Sequence, residues 1–251
     1  MQVNGGCASI PDLLARPVNA VASGPAAGPA AGAHYASDTK APDRLIIIDM
    51  GGTSFDVCML RDGEPVMSTD IKVADQPIGV NGVEVLSIGA GGGSIAWIDS
   101  GNSLRVGPRS AGSQPGPACY GLGGKSATVT DADVTLGRID PDCFAGGTVK
   151  LFPDKASEVL AENVGVLLEA GDSEAAGMVV EIVSENMANA ARVHAVERGK
   201  NMLGRTIIAF GGAAPLHGAR MAEKLGLDGV IVPTGAGVGS AIGFLRAPIS
   251  Y

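Results

Sequence analysis

Aromatic side chains are scarce in this 251-residue chain: one Trp, three Tyr and five Phe make up 4% of it. Set beside 38 glycines and 15 prolines, that scarcity points to many tight turns and close backbone approaches rather than to low complexity, because the apolar runs between them stay regular. Basic residues are in deficit, 18 Lys and Arg against 26 Asp and Glu, for a formal charge of −8. A basic surface of the kind nucleic acid or anionic lipid requires is thereby excluded, and neither is expected as a partner. The four cysteines, Cys7, Cys58, Cys119 and Cys143, form no CxxC pair, so neither a structural zinc nor a disulfide framework is indicated and reduced thiols are the default. No run approaches the roughly 18 apolar residues of a membrane span. The opening MQVNGGCASIPDLLA also lacks the basic start and apolar core of a secretion signal. A cytoplasmic protein is expected.

What is present suits one large or two small globular domains, with 45% hydrophobic and 18% charged residues. Residues 1–43 are rich in Gly, Ala and Pro and predict one small-residue helix after the Ser23-Gly24-Pro25 turn. At Leu45 the pattern changes to a buried strand, a Gly-Gly turn, and a second strand in which Phe55, Val57 and Met59 alternate with Ser54, Asp56 and Cys58, the period of a half-buried strand. Asp62-Gly63 then predicts a hairpin into a third strand near 66–73, giving an antiparallel meander. Residues 76–150 read as a loop-rich insertion with short strands, SIAWID and SLRVG among them, and little helix. After Pro153 the period becomes helical, over 156–168 and 173–198. The tail alternates strand 206–210, helix 216–225, strand 229–232 and helix 238–245, which makes the whole a mixed α/β layer.

Two glycine turns carry the chemistry. In DMGGTSFDV a carboxylate, Asp49, ends a buried strand where it can hold a hydrated magnesium ion. Gly51 and Gly52 let the turn's amides approach an anion, and Thr53 and Ser54 add hydroxyl donors to the same concavity. Taken alone, such a turn is more often an ordinary hairpin. A second Gly-Gly pair, in FGGAAPLHG, ends a strand and opens a helix, where Gly211, Gly212 and Ala213 can receive a base, ribose or phosphate. Two further glycine stretches are set aside. GAGGGS at 89–94 has Ser94 where a dinucleotide fingerprint needs its third glycine, and a strand follows it. GLGGKS at 121–126 would put Cys119 at the first glycine of a P-loop, with no apolar strand leading in.

The stretches SGPAAG, IDMGGTSFDV, SIGAGGGSIAWID, VGPRSAGSQPGPACYGLGG, TVTDADVTLGRI and FGGAAPLHGARMAEKLG resemble, in order, successive blocks of the hydantoinase A and oxoprolinase family, which includes ATP-dependent hydantoinase, 5-oxoprolinase and subunits of acetone and acetophenone carboxylases. The resemblance implies an actin/sugar-kinase-like (ribonuclease H-like) α/β fold with a mixed sheet flanked by helices. It also implies ATP and Mg2+ or Mn2+ as cofactors, and ATP-dependent phosphorylation of a cyclic amide or ketone oxygen before hydrolysis or carboxylation. Carried over by position, Asp49 would hold the metal. Gly51, Gly52, Thr53 and Ser54 would contact phosphates, and Gly211, Gly212 and Ala213 would line the adenosine. Asp131, Asp133 and His217 are the catalytic candidates, against the plainer readings of helix-capping aspartates and a locally satisfied histidine. Cys119 reads as a packing thiol. Where relatives commonly have SGPAGG and GGAGPLHA, this chain has SGPAAG and GGAAPLHG, so Ala214 bears on affinity near the adenosine.

The family's full-length chains open with another lobe that carries its own Asp-x-Gly-Gly-Thr turn, and one such turn exists here. The expected organisation is a Gly/Ala/Pro-rich segment at 1–43 and a second nucleotide-binding lobe at 44–251, completed by the missing N-terminal lobe. A hydantoinase B-like subunit, a small cyclic amide or ketone, and an oligomeric assembly are the implied partners. A ketone carboxylase subunit and a non-catalytic assembly module retaining the fold are the alternatives.

Overall fold

The computed structural model describes residues 1–37, 44–73 and 76–249. In chain order it holds helices α1 (Ile10–Ala15) and α2 (Ser23–Ala36), then strands β1 (Leu45–Met50), β2 (Phe55–Arg61), β3 (Glu64–Pro65), β4 (Met67–Ser68), β5 (Ile71–Val73) and β6 (Gln76–Ile78). Strands β7 (Gly82–Val83), β8 (Leu86–Ile88), β9 (Ser94–Ile98) and β10 (Leu104–Ser110) follow. Next come α3 (Val129–Thr135), α4 (Pro153–Leu160), a π turn over Ala161–Gly165, α5 (Val166–Leu168) and α6 (Asp172–Glu197). The chain ends with β11 (Thr206–Phe210), α7 (Ala214–Leu225), β12 (Gly229–Ile231) and α8 (Gly239–Arg246). Two compact units result: Met1–Asp49 with Asp56–Ser87 and Ala190–Tyr251, and Met50–Phe55 with Ile88–Asn189. The boundary expected after residue 43 lies outside the described residues. Among the described residues no helix is long and apolar enough to cross a membrane.

The first unit is organised by a mixed sheet of order β12-β11-β1-β2-β3. Strand β1 is parallel to β11, with Leu45 opposite Thr206 and Asp49 opposite Phe210, and β11 is parallel to β12. Strands β1 and β2 are neighbours joined by a short turn, which only an antiparallel pair allows. The next hairpin closes over Asp62 and Gly63 with Leu60 opposite Pro65. Their φ values of +55° and +81° are what a two-residue primed turn demands.

Helices cover both faces of this sheet. On one face, Ala31 and Ala36 of α2 pack with Leu45, Ile47, Cys58, Leu60, Ile208 and Phe210. On the other, α7 lies so near that a Cβ on Gly218 would stand 3.0 Å from Val230 and 3.7 Å from Ala209. The apolar run of β1 follows from this, since both faces are buried and each isoleucine contributes roughly 1.5–3 kcal/mol. Glycine sets the spacing: a Cβ on Gly32 would stand 2.5 Å from Ile47, and one on Gly243 of α8 would stand 2.0 Å from the Ala27 carbonyl oxygen of α2.

The helix expected near Ser23 and the strands expected at 45–48, 206–210 and 229–232 are present. Two expectations change. Strand β2 is buried on both faces from Val57 to Leu60 rather than alternately, because α2 covers the Cys58 and Leu60 face that the alternating pattern assigned to solvent. The third strand breaks into β3, β4 and β5, and the last two pair with β7 and β6. Pro65 supplies no ladder donor, and Asp70 turns back to the Ser68 hydroxyl.

In the second unit β9 and β10 form an antiparallel pair with Leu104 opposite Ile98. The insertion's one regular α-helix among the described residues is α3. Cys119, Val134, Leu151 and Ala156 form a small core there. The predicted helix at 156–168 begins earlier, at Pro153, which suits a first helical turn, and is interrupted by the π turn.

Candidate functional site

The turn after Asp49 belongs to the second unit, and its residues 51–54 are exposed. It closes on itself by a bond from the Gly51 amide to the Ser54 carbonyl, 3.2 Å. Its underside rests on the GAGGGS stretch: the Gly92 amide donates to the Gly51 carbonyl at 3.0 Å and the Gly93 amide to the Gly52 carbonyl at 2.7 Å. Glycine is required for this approach, since a Cβ on Gly91 would stand 2.6 Å from backbone atoms of Gly52 and Thr53. In a trans peptide the C=O and N–H point opposite ways. With both carbonyls turned toward buried Gly92 and Gly93, the amides of Gly52 and Thr53 point away from them. Two successive outward amides, in an exposed turn that also carries the Thr53 and Ser54 hydroxyls, are donors suited to an anion. GAGGGS, excluded as a dinucleotide turn, is followed by strand β9 as expected and serves as the floor of this one.

In the first unit, the register that sets Asp49 opposite Phe210 brings Asp49 and the 211–213 loop to the same carboxyl edge of the parallel pair, the edge where ligands of open α/β sheets bind. The Ser240 hydroxyl, at the start of α8, donates to the Asp49 carboxylate, and Gly28 of α2 lies beside it, an added Cβ falling 3.8 Å from Oδ2. Gly211 takes φ +81° and its amide bonds the Ala236 carbonyl at 2.9 Å. Gly212 is exposed, with nothing within 4 Å of an added Cβ. Ala213 leads into α7, whose first turn holds Pro215. Ala214 itself is buried.

Asp56 is a residue that the motif reading passed over. It accepts from Ser87, and burial, with the Asp49 charge adding to it, raises its pKa above the usual carboxylate range. Its signal was its place in the same DMGGTSFDV stretch. Among the described residues no three His, Cys, Asp or Glu side chains group as a metal site. Asp49 and Asp56 as a carboxylate pair fit a magnesium ion, which takes one or two protein carboxylates and fills its shell with water and phosphate.

Comparison with known proteins decides the lineage. The hydantoinase/oxoprolinase family matches residues 1–251. The chain belongs to this family. It is 38% identical over 250 residues to the caprolactamase α subunit of Pseudomonas jessenii, covering 100% of this chain and 36% of that one. The crystal structure of ATP-dependent caprolactamase from Pseudomonas jessenii superposes with a TM-score of 0.88 at 38% identity, covering 100% of this chain and 36% of that chain. A nucleotide-free acetone carboxylase structure gives 0.87 at 29% identity, over 98% and 34%. The fold is thus the mixed α/β layer expected of this family, and the chain spans about a third of the length of these relatives.

The remaining blocks of this hydantoinase/oxoprolinase chain are held by their own local contacts. In TVTDADV, Thr128 caps α3 and Asp131 completes a capping box. The wholly buried Asp131 carboxylate accepts from the Thr128 hydroxyl (2.7 Å) and amide (3.0 Å), and from the amides of Cys119 (2.8 Å) and Ala118 (3.3 Å), which ties α3 to the PGPACYG block. Asp133 is buried with Arg138 at 3.5 Å. Burial and the Asp131 charge push the Cys119 thiol far above the range in which a thiolate forms near neutral pH. His217 is wholly buried in α7. The structure therefore places Asp49 with residues 211–213 at one sheet edge, and Asp131 and Asp133 within α3.

Proposed function

We propose that this chain is the second nucleotide-binding lobe of an ATP-dependent cyclic amidohydrolase of the hydantoinase/5-oxoprolinase type. The observation that carries the reading is the pair of outward amides at Gly52 and Thr53 in an exposed, floor-supported turn. In this reading those amides and the Thr53 and Ser54 hydroxyls receive the phosphates. Asp49, held by Ser240, takes a magnesium or manganese ion. Residues 211–213 receive the adenosine. A divalent ion there would offset phosphate charge and orient the transferred group.

ATP transfers its γ-phosphoryl group to the amide oxygen of the substrate. Water adds to the carbon of the resulting phosphorylated imidate, the ring C–N bond then breaks with the nitrogen leaving as the amine, and a second water releases phosphate from the acyl phosphate that remains. Such transfer is mostly alignment and charge stabilisation, so it needs a complete cleft. In this reading the rest comes from an N-terminal lobe, within the roughly two thirds of the relatives' length that this chain does not span, and from a hydantoinase B-like partner. His217 and Asp133 are buried and act, in this proposal, by positioning, in a cytoplasmic oligomer.

The likeness to acetone carboxylase favours a second reading, a ketone carboxylase subunit. The test is ATP turnover by the intact protein with a set of cyclic amides, and with ketones plus bicarbonate. Amide-dependent phosphate release that falls at least about 100-fold in Asp49→Ala supports the hydrolase. Ketone turnover that requires bicarbonate replaces it with the carboxylase. ATP binding equal in wild type and Asp49→Ala overturns the metal assignment.

A further inference from the structure

We infer that the outward amides of the 51–54 turn end two hydrogen-bond relays running through the GAGGGS stretch, and that Thr130 drives one of them, making it a positioning residue for bound polyphosphate. The inference rests on the nucleotide reading above.

Each relay is a stack of peptide planes joined head to tail. In the first, the Ser94 amide donates to the Gly91 carbonyl at 3.0 Å. The amide on the far side of that peptide, Gly92, donates to the Gly51 carbonyl, and the far amide of that next peptide is Gly52. In the second, Thr130 donates twice to the Gly92 carbonyl, from its backbone amide at 2.7 Å and from its hydroxyl at 2.8 Å. The far amide, Gly93, donates to the Gly52 carbonyl, and beyond it the outward amide is Thr53.

Both relays point the same way, toward the exposed face. Chained bonds polarise one another, so each terminal N–H becomes a stronger donor to an anion than an isolated amide. The chain is also stiff. Gly91, Gly92, Gly93, Ser94 and Thr130 are all buried, and a Cβ on Gly93 would stand 2.9 Å from the Gly52 carbonyl oxygen. The turn is thus preset before any ligand arrives, which lowers the ordering cost of binding. This gives the GAGGGS and TVTDA stretches a shared task. Neither touches the ligand, and both aim the residues that do.

The test is Thr130→Val in the intact protein, which removes the hydroxyl donor and keeps the backbone one, with Thr130→Ser as the conservative variant and Thr130→Ala in reserve should the valine variant not fold. ATP affinity should fall by about 3–10-fold, the loss of one buried hydrogen bond acting at a distance. Adenosine affinity should stay unchanged, and serine should restore ATP binding. In protein labelled at glycine and threonine nitrogen, the Thr53 amide proton should shift more than that of Gly52, which ends the other relay. Unchanged ATP affinity beside a wild type that binds ATP refutes the relay alone, as does an equal shift at Gly52 and Thr53 or an equal loss for adenosine. A wild type that binds no ATP refutes the nucleotide reading itself.

Discussion

Asp131 is where chemistry and architecture compete for one carboxylate. Its oxygens accept bonds from Thr128, Cys119 and Ala118, and the residue is wholly buried. All of these donors point inward at it. An asparagine keeps the size but turns an NH2 toward at least one of them, setting donor against donor. Bonds to a charged group contribute about 1.5–3 kcal/mol each at most. Asp131→Asn is therefore expected to lower unfolding free energy by about 2–4 kcal/mol, read by urea denaturation. A variant of wild-type stability that nevertheless loses turnover would return Asp131 to catalysis. The plain reading of a TxxD run, a capping box, was available in the sequence. The two amides of the PGPACYG block that join it come from residues 12 and 13 positions away, a pairing that local spacing does not encode.

Among the elements, α2 and α8 meet through backbone rather than side chains. Ala27, Ala31 and Gly243 mark the crossing, and a Cβ on Gly243 would meet the Ala27 carbonyl oxygen at 2.0 Å and the Ala31 amide at 3.1 Å. Two effects oppose each other in Gly243→Ala. Helix propensity favours alanine by about 1 kcal/mol, while overpacking a close crossing costs about 1–3 kcal/mol or more. A clash with backbone cannot be relieved by a rotamer change, so overpacking wins, and a net loss of about 1–2 kcal/mol is expected in thermal or urea unfolding. Increased stability would show that the helices separate freely. Ser240 lies in α8 and holds Asp49, so the same crossing also fixes a candidate site residue. Strands such as β1 and β11 were legible because an apolar run bounded by glycine has few other uses. The partners of β4 and β5 were not, since a two- or three-residue strand carries too little pattern to specify whom it pairs with. Ser240 was invisible for a related reason: it lies 191 positions from Asp49, and nothing in a glycine-rich helix marks one hydroxyl as a partner.

At the scale of the molecule, the turn at 51–54 and the loop at 211–213 supply phosphate and adenosine contacts in our proposal, yet the chain spans about a third of its relatives' length. Phosphoryl transfer draws its rate from holding donor, metal and acceptor in line, and well-oriented reactants gain about 7–11 kcal/mol over free ones. Contacts to ATP alone cannot align it with a substrate held elsewhere. The 251-residue chain alone is expected to bind Mg-ATP weakly and to show no substrate-stimulated phosphate release, with turnover appearing when the remaining segments of a full-length relative are joined to it. Calorimetry and a phosphate-release assay on the two forms check this. Substrate-stimulated turnover by the 251 residues alone would mean that the acceptor's contacts are already present, and it would move the search for them to residues 76–150, where the Gly/Pro-rich blocks would then have to hold the substrate themselves.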